Sequence, residues 1–266
     1  MTTVLKLGGD LLEDAAALRV AAAGIAKLRA NDRLVVVHGG GRAIDADLRA
    51  RGGAPKMVDG LRVTDRETLA TVVGVLAGRI NTAFVAALGT AGVKAIGLTG
   101  ADAAIGLSDR APALQSTSGA SVDLGFVGVP SPRASAQLVS DLLGLGYVPV
   151  VASIGVGADG ELLNVNADVL ASHLARILRA ERLVVAGSTP GVFDADGSPC
   201  ASLDERQARA MVAAGTARDG MVTKLGAVLE AFGAGVEEVR IIDGRSGDYV
   251  NARGTKLART PVAAGE

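Results

Sequence analysis

Short runs of Val, Ile and Leu alternate along this chain with longer segments of helical period, and that alternation limits the fold more than any single residue does. Apolar strands are predicted at Thr3–Leu7, Arg33–Val37, Ala95–Leu98, Tyr147–Val151, Arg182–Ala186 and Glu238–Asp243. Helices are predicted between them at Glu13–Arg29, Ala43–Arg51, Arg66–Leu88, Gln137–Leu143, Val169–Arg179 and Met221–Phe232. Apolar strands with helical crossovers imply an α/β class: a three-layer α/β/α sandwich around a mostly parallel central sheet. Residues 100–132 fit this alternation poorly. Gly, Ser and Pro punctuate short apolar pieces there, which suggests hairpins or a lid. With 266 residues the chain reads as a single domain over 1–266. Two approximate lobes, 1–165 and 166–266, join near Asn164–Asp168.

Composition narrows the function by exclusion. The net charge of −1 offers no basic surface for nucleic acid or an anionic membrane. The chain has no Trp and few other aromatics, so base stacking on aromatic platforms is not expected. Cys200 is the only cysteine, and His38 and His173 are the only histidines. That excludes an intrachain disulfide and a Cys- or His-built metal site, and it fits a reducing, cytoplasmic setting. No signal peptide is read, and no apolar run approaches the roughly 20 residues of a membrane span. Ser118 and Ser121 have no evident base, so a serine nucleophile is not expected.

In open α/β sheets, ligands bind at the carboxyl ends of the strands. The first strand there runs into KLGGD (Lys6–Asp10), and the second into HGGGR (His38–Arg42). A lysine among Val4, Leu5 and Leu7 is costly to bury without an anionic partner. Glycine turns bring backbone N–H groups close to an anion, and a following helix adds its positive end. Neither turn matches GxGxxG or the P-loop, but the two turns can face each other across one polyphosphate. Asp10 reads as a cap or first-turn residue. In DGLRVTDRETL, Arg62 stands in a strand-like triplet where a guanidinium can grip a carboxylate, and Thr64 or Asp65 can cap the helix that follows. ELLNVNADV places Asn164, Asn166 and Asp168 at spacing i, i+2, i+4 around a helix start; capping explains one or two of them. In RDGMVTKL, Lys224 sits near a helix N-terminus, where the dipole disfavours it unless an anion is bound.

Taken in order, KLGG, VHGGG, DGLRVT, NVNAD and DGMVTK resemble the amino acid kinase family over nearly the whole chain, and within it the branch that acts on N-acetylglutamate. The resemblance implies an ATP-dependent enzyme, with Mg2+, that phosphorylates the γ-carboxylate of that substrate. It assigns Lys6 and Lys224 to the transferring phosphoryl group and Asp168 to orienting both lysines. It assigns Gly8, Gly9, Gly40 and Gly41 to phosphate through their N–H groups, and Arg62, Asn164 and Asn166 to the acylated amino acid, with Gly40 and Gly41 beside it. The metal is carried by ATP, with no protein side-chain ligand expected. Ser188 stands where the family has an aspartate near the nucleotide, so its contribution there is a hydrogen bond without charge.

The chain begins at its first strand, from which a homodimer without arginine feedback is expected. A related kinase for an aminoadipate derivative, with or without a carrier protein, would also use Arg62. A non-catalytic sensor of the same fold would be marked by loss of Lys6, Lys224 or Asp168, and all three are present. A nicotinamide-dependent dehydrogenase lacks its glycine fingerprint here. The partner expected is a small molecule, not nucleic acid or membrane.

Overall fold

The computed structural model describes residues 1–116, 119–214 and 220–258. Among the sequence readings, Ser118, Arg218 and Asp219 lie outside the described residues.

The strands, in chain order, are β1 (Thr2–Leu7), β2 (Arg33–His38), β3 (Met57–Val58), β4 (Leu61–Arg62), β5 (Ala95–Thr99), β6 (Ser108–Arg110), β7 (Leu114–Gln115) and β8 (Ser121–Val122). They continue as β9 (Val127–Pro130), β10 (Val148–Ala152), β11 (Ile154–Val156), β12 (Leu162–Val165), β13 (Arg182–Gly187), β14 (Ser202–Asp204), β15 (Glu238–Asp243) and β16 (Gly254–Ala258). The α-helices are α1 (Ala15–Arg29), α2 (Gly41–Ala50), α3 (Arg66–Val73), α4 (Thr82–Thr90), α5 (Gln137–Gly144), α6 (Ala167–Ile177), α7 (Glu205–Ala213) and α8 (Gly220–Gly233). A π-helical segment, Gly74–Asn81, joins α3 to α4 without a break.

Eight strands form one sheet in the order β14-β16-β15-β13-β1-β2-β10-β5. All neighbours are parallel except β15 and β16. The α/β/α sandwich with a mostly parallel sheet is therefore the observed architecture. Strands β1, β2, β5 and β10 come from the first part of the chain and β13 to β16 from the second, so both parts share this sheet. The Gly100–Pro130 region does form hairpins: β6 pairs antiparallel with β9, and β7 with β8. The second sheet, β11-β12-β9-β6, overhangs the carboxyl ends of the main strands near Ser153 and Asn164.

Period-two alternation decides which side chain meets which helix layer. Val4, Val35, Val37, Leu183 and Val185 join one core with α5, α6 and α8. Leu5, Leu7, Leu34, Val36 and Val184 join the other with α1, α2 and the long α3–α4 helix. Each such buried Val or Leu contributes about 1.5–3 kcal/mol. Lys6 shares the parity of Val4, so it points towards α6 and α8. His38 shares the parity of Val36, so it points towards the long helix.

One expectation from hydropathy fails. Arg66–Thr90 is long and apolar enough to cross a membrane by length and composition. Its Ala residues add to the mean without bulk, while its bulky residues Val72, Val75, Leu76, Phe84 and Leu88 are buried against the sheet.

Candidate active site

The carboxyl ends of β1 and β2 open into a cavity of about 390 Å³, lined among others by Lys6, Gly9, Gly40, Gly41, Arg62, Asn164, Asn166 and Asp168. Two of its lining charges, Lys6 and Asp168, form a triad with Lys224. Lys6 Nζ lies 2.9 Å from Asp168 Oδ1, and Lys224 Nζ lies 3.5 Å from Asp168 Oδ2. Three elements supply them. Lys6 is the penultimate residue of β1, Asp168 lies in the first turn of α6, and Lys224 is on the first turns of α8. Burial works to raise the Asp168 carboxyl, but the two ammonium groups and their hydrogen bonds together hold it below the usual carboxylate range. Burial, and then the neighbouring Lys6, push the Lys224 ammonium below its ordinary value, against the pull of Asp168 and Asp10. The family resemblance, rather than spacing alone, implied that these three would meet.

The two glycine turns do face one another. A Cβ on Gly9 would sit 2.5 Å from Gly40 Cα and 2.9 Å from Gly40 N, so both positions require the missing side chain. Gly41 begins α2 and presents its N–H at the open N-terminal turn. Gly8 differs from the other three. Its N–H donates to the Ala186 carbonyl at 2.8 Å, tying β1 to β13, and is thus engaged within the protein. Asp10 lies in the first turn of a short 3-10 helix, Gly9–Leu12, and Asp14 is the residue that caps α1.

Arg62 reaches the cavity from a tight hairpin. Asp59 and Gly60 both have positive φ, 46° and 78°, the backbone of a type I′ turn between β3 and β4. The guanidinium is buried: Nη1 lies 2.6 Å from Asp45 Oδ1 and Nη2 donates to the Gly41 carbonyl at 3.3 Å. The Asp45 contact is an ion pair by distance rather than an aligned hydrogen bond. Asp45 escaped the sequence reading, because a carboxylate in a solvated helix carries no local signal. Thr64 was weighed there as a cap, yet Asp65 takes that role by accepting from Thr68 N at 2.8 Å. Thr64 is instead fully buried, donating to the Arg62 carbonyl and accepting from Asn164 Nδ2 at 3.0 Å.

The two asparagines divide their work. Asn166 caps α6, its Oδ1 accepting from the N–H groups of Asp168 and Val169, so its amide NH2 is what remains towards the cavity. Asn164 uses its NH2 on Thr64. Ser188 follows β13, is exposed, and lies outside the cavity that Asp168 lines. Among the described residues no cluster of three or more His, Cys, Asp or Glu side chains is arranged to hold a metal.

Both histidines are buried and kept neutral. Burial, opposed weakly by the bond to Gly39, pushes His38 down to about 4. Burial and the nearby Arg176 push His173 down to about 4.

Residues 1–243 match the model of the amino acid kinase family. The chain belongs to that family. It is 41% identical to an acetylglutamate kinase of Azoarcus sp. (strain BH72), over 92% of this chain and 82% of that one. It is 39% identical to an acetylglutamate kinase of Methanopyrus kandleri, over 90% of this chain and 93% of that one. Among solved structures, a protein of Streptococcus mutans UA159 superimposes with a TM-score of 0.83 at 25% identity, covering 97% of this chain and 99% of that one.

Proposed function

We propose that this chain transfers the γ-phosphoryl group of ATP to the γ-carboxylate of N-acetylglutamate, an early step of arginine synthesis. The observation that carries the reading is the Lys6–Asp168–Lys224 triad, set where the two glycine turns meet. The substrate name comes from relatives 39–41% identical over nine-tenths of the chain.

A carboxylate oxygen attacks the γ-phosphorus in line, the bond from phosphorus to the bridging oxygen breaks, and ADP leaves. The acceptor is already ionised at neutral pH, so no base is needed and no proton moves. Charge spreads over the transferring oxygens, and fixed cations and N–H donors are what such a transfer demands. Lys6 and Lys224 supply the cations, and Gly9, Gly40 and Gly41 the N–H donors. Asp168 is a positioning residue, with both oxygens committed to lysines. Among the described residues it is the one carboxylate lining the cavity, a donor set that suits Mg2+ carried on the nucleotide and neutralising its phosphates. Arg62, braced by Asp45, takes the α-carboxylate, and Asn164 and Asn166 take the acylated amino acid's polar groups.

Further assignments belong to the same reading. The nucleotide lies over the 166–266 lobe and the amino acid over 1–165, with Ser188 at the rim. The protein is a cytoplasmic homodimer; its long helix presents Ala70, Gly74 and Gly78 as an exposed small-residue face suited to close helix packing. The test is direct. Purified protein with MgATP and a panel of N-acylated amino acids is expected to yield hydroxamate on trapping with hydroxylamine, most with N-acetylglutamate. No hydroxamate from any acceptor refutes the kinase; preference for an aminoadipate derivative refutes only the substrate.

A further inference from the structure

The reaction just described leaves one fully buried polar group beside the site unused: His38, the last residue of β2. Its ring is not surrounded by apolar side chains alone. His38 Nε2 lies 3.0 Å from Asn81 Nδ2, and His38 Nδ1 lies 3.2 Å from the Gly39 carbonyl oxygen. Asn81 Nδ2 also donates to the Val150 carbonyl at 2.9 Å. Because a carbonyl can only accept, the Asn81 NH2 must face Val150, and its second hydrogen then faces His38 Nε2. Nε2 is therefore the acceptor, and the ring proton sits on Nδ1, where it donates to Gly39.

That last bond bears on the phosphate turn. The Gly39 carbonyl and the Gly40 N–H belong to one trans peptide, in which C=O and N–H point to opposite sides. Holding the oxygen towards His38 directs the Gly40 N–H away from it. The opposite side is the one occupied by Gly9, whose Cβ would lie 2.9 Å from Gly40 N. Among the described residues the Gly40 N–H makes no hydrogen bond. The donor is thus aimed into the gap between the two glycine turns.

The long helix is built to complete this chain of bonds. Asn81 ends the π-helical segment, and a π-turn shifts the side chains after it around the axis relative to a regular α-helix. The same segment sets Leu76 and Ile80 against Gly40, where a Cβ would overlap Ile80 Cδ1 and come within 2.8 Å of Leu76 Cδ2. Gly97 leaves room for the Asn81 amide oxygen, which a Cβ there would overlap. Asn81 itself is buried.

We propose that His38 and Asn81 are positioning residues for phosphoryl transfer, with the His38 Nδ1–H holding the Gly39–Gly40 peptide so that the Gly40 N–H meets the phosphate. The proposal rests on the phosphate-cradle reading of the two glycine turns. Two substitutions separate it from a packing role. In His38→Asn the shorter amide can place an N–H near the Nδ1 position. In His38→Gln the amide reaches the Nε2 position and leaves the Gly39 carbonyl without its donor.

Both variants are expected to lose similar amounts of thermal stability. His38→Gln should lower kcat on the order of 10²-fold, the usual effect of losing one preorganised donor. His38→Asn should stay within about fivefold of the wild type, and KM for the acylated amino acid should change less than about threefold in either. In 15N-labelled wild-type protein, His38 should show the Nδ1–H tautomer, and the Gly40 amide should shift when a non-hydrolysable ATP analogue with magnesium is added. An Nε2–H tautomer overturns the proposal, as does equal loss of kcat in both variants in step with stability. Should the wild type transfer no phosphoryl group to any acceptor, the kinase reading fails on its own. The tautomer and the Gly40 amide response, compared between wild type and His38→Gln, then still decide the role of His38.

Discussion

Replacing Asp168 by asparagine removes the negative charge shared by two largely buried ammonium groups. At an effective dielectric of about 20, the contacts at 2.9 and 3.5 Å correspond to roughly 6 and 5 kcal/mol of attraction, much of it offset by desolvation. Breaking a buried pair by removing one partner costs about 3–5 kcal/mol net. An independent ceiling comes from titration. The variant escapes the unpaired charge by folding with one lysine neutral, which at pH 7 costs about 1.36 kcal/mol for each of the roughly 3.4 units below an ordinary lysine pKa, or about 4.6 kcal/mol. The two routes agree, so Asp168→Asn is expected to destabilise the protein by about 3–5 kcal/mol at pH 7. The pH dependence distinguishes this mechanism from simple loss of packing. A lysine whose folded pKa falls below its unfolded value binds fewer protons in the native state, so native stability rises with pH until the unfolded lysine also titrates. The deficit relative to wild type should therefore shrink by up to about 1.4 kcal/mol per pH unit above 7. Urea unfolding at pH 7 and pH 9 measures both quantities. A deficit below 1 kcal/mol at pH 7, or one unchanged at pH 9, would show that the carboxylate is not balancing two buried ammonium groups.

Lys224→Ala should reduce kcat on the order of 10²–10³-fold while KM for the acylated amino acid moves less than about threefold, because the lysine is assigned to charge that develops in flight; steady-state kinetics with hydroxamate detection measures the split. Arg62→Ala should do the reverse, raising KM for the amino acid about 10–100-fold, the worth of charge-assisted hydrogen bonds of roughly 1.5–3 kcal/mol; an unchanged KM would remove Arg62 from the carboxylate site. Stability should fall on acidification between about pH 6.5 and 4. Each histidine is held near 4 when folded, so the unfolded chain binds protons first. From a fall of 6.5 to about 4, His38 alone should account for about 2 kcal/mol between pH 7 and pH 5, with Asn81 and the Gly39 carbonyl as its polar neighbours. His173, beside Arg176, should add to it; chemical unfolding of wild type and His38→Asn across that range measures the share of His38.

What was legible in the sequence was what local period and glycine placement encode. The parity that sends Lys6 to the α6–α8 side is written in VLKL itself, and the NVNAD spacing places Asp168 one turn inside a helix. Residues whose roles depend on distant chain were not legible. Asp45 becomes a brace for Arg62 only because the β3–β4 hairpin folds back over α2, and its own surroundings in sequence, RAIDADL, are those of any solvated helix. Asn81 lies within what reads as one uninterrupted apolar helix, and nothing in its neighbours announces a π-turn. The edge strand β14 and its neighbour β16 are short and held by lateral pairing, β14 on β16 and β16 on β15, so their residues carry little periodic signal. Thr64 and Asp65 compete for one cap, and local rules could not say that the loser would turn inward to support Asn164.

The charge count at the strand ends also explains why a single carboxylate stands between two lysines. With no carboxylate, one lysine would surrender its proton at neutral pH, and half of the fixed positive charge would be lost before any phosphate arrives. With two carboxylates the ammonium groups would be fully compensated, and the transferring group would meet no net field. Lys6, Lys224 and Asp168 leave a residue of +1, which Asp10 lessens through its weaker pull on Lys224, while Arg62 and Asp45 close their own balance nearby. One uncompensated charge is tolerable because Lys6 and Asp168 line an open cavity rather than a sealed core. It is placed where an anion gaining charge would be stabilised without rearranging the protein. By this reasoning an acidic residue introduced next to Lys224 should harm turnover even if it strengthens the fold, since it would cancel the charge that the site holds in reserve.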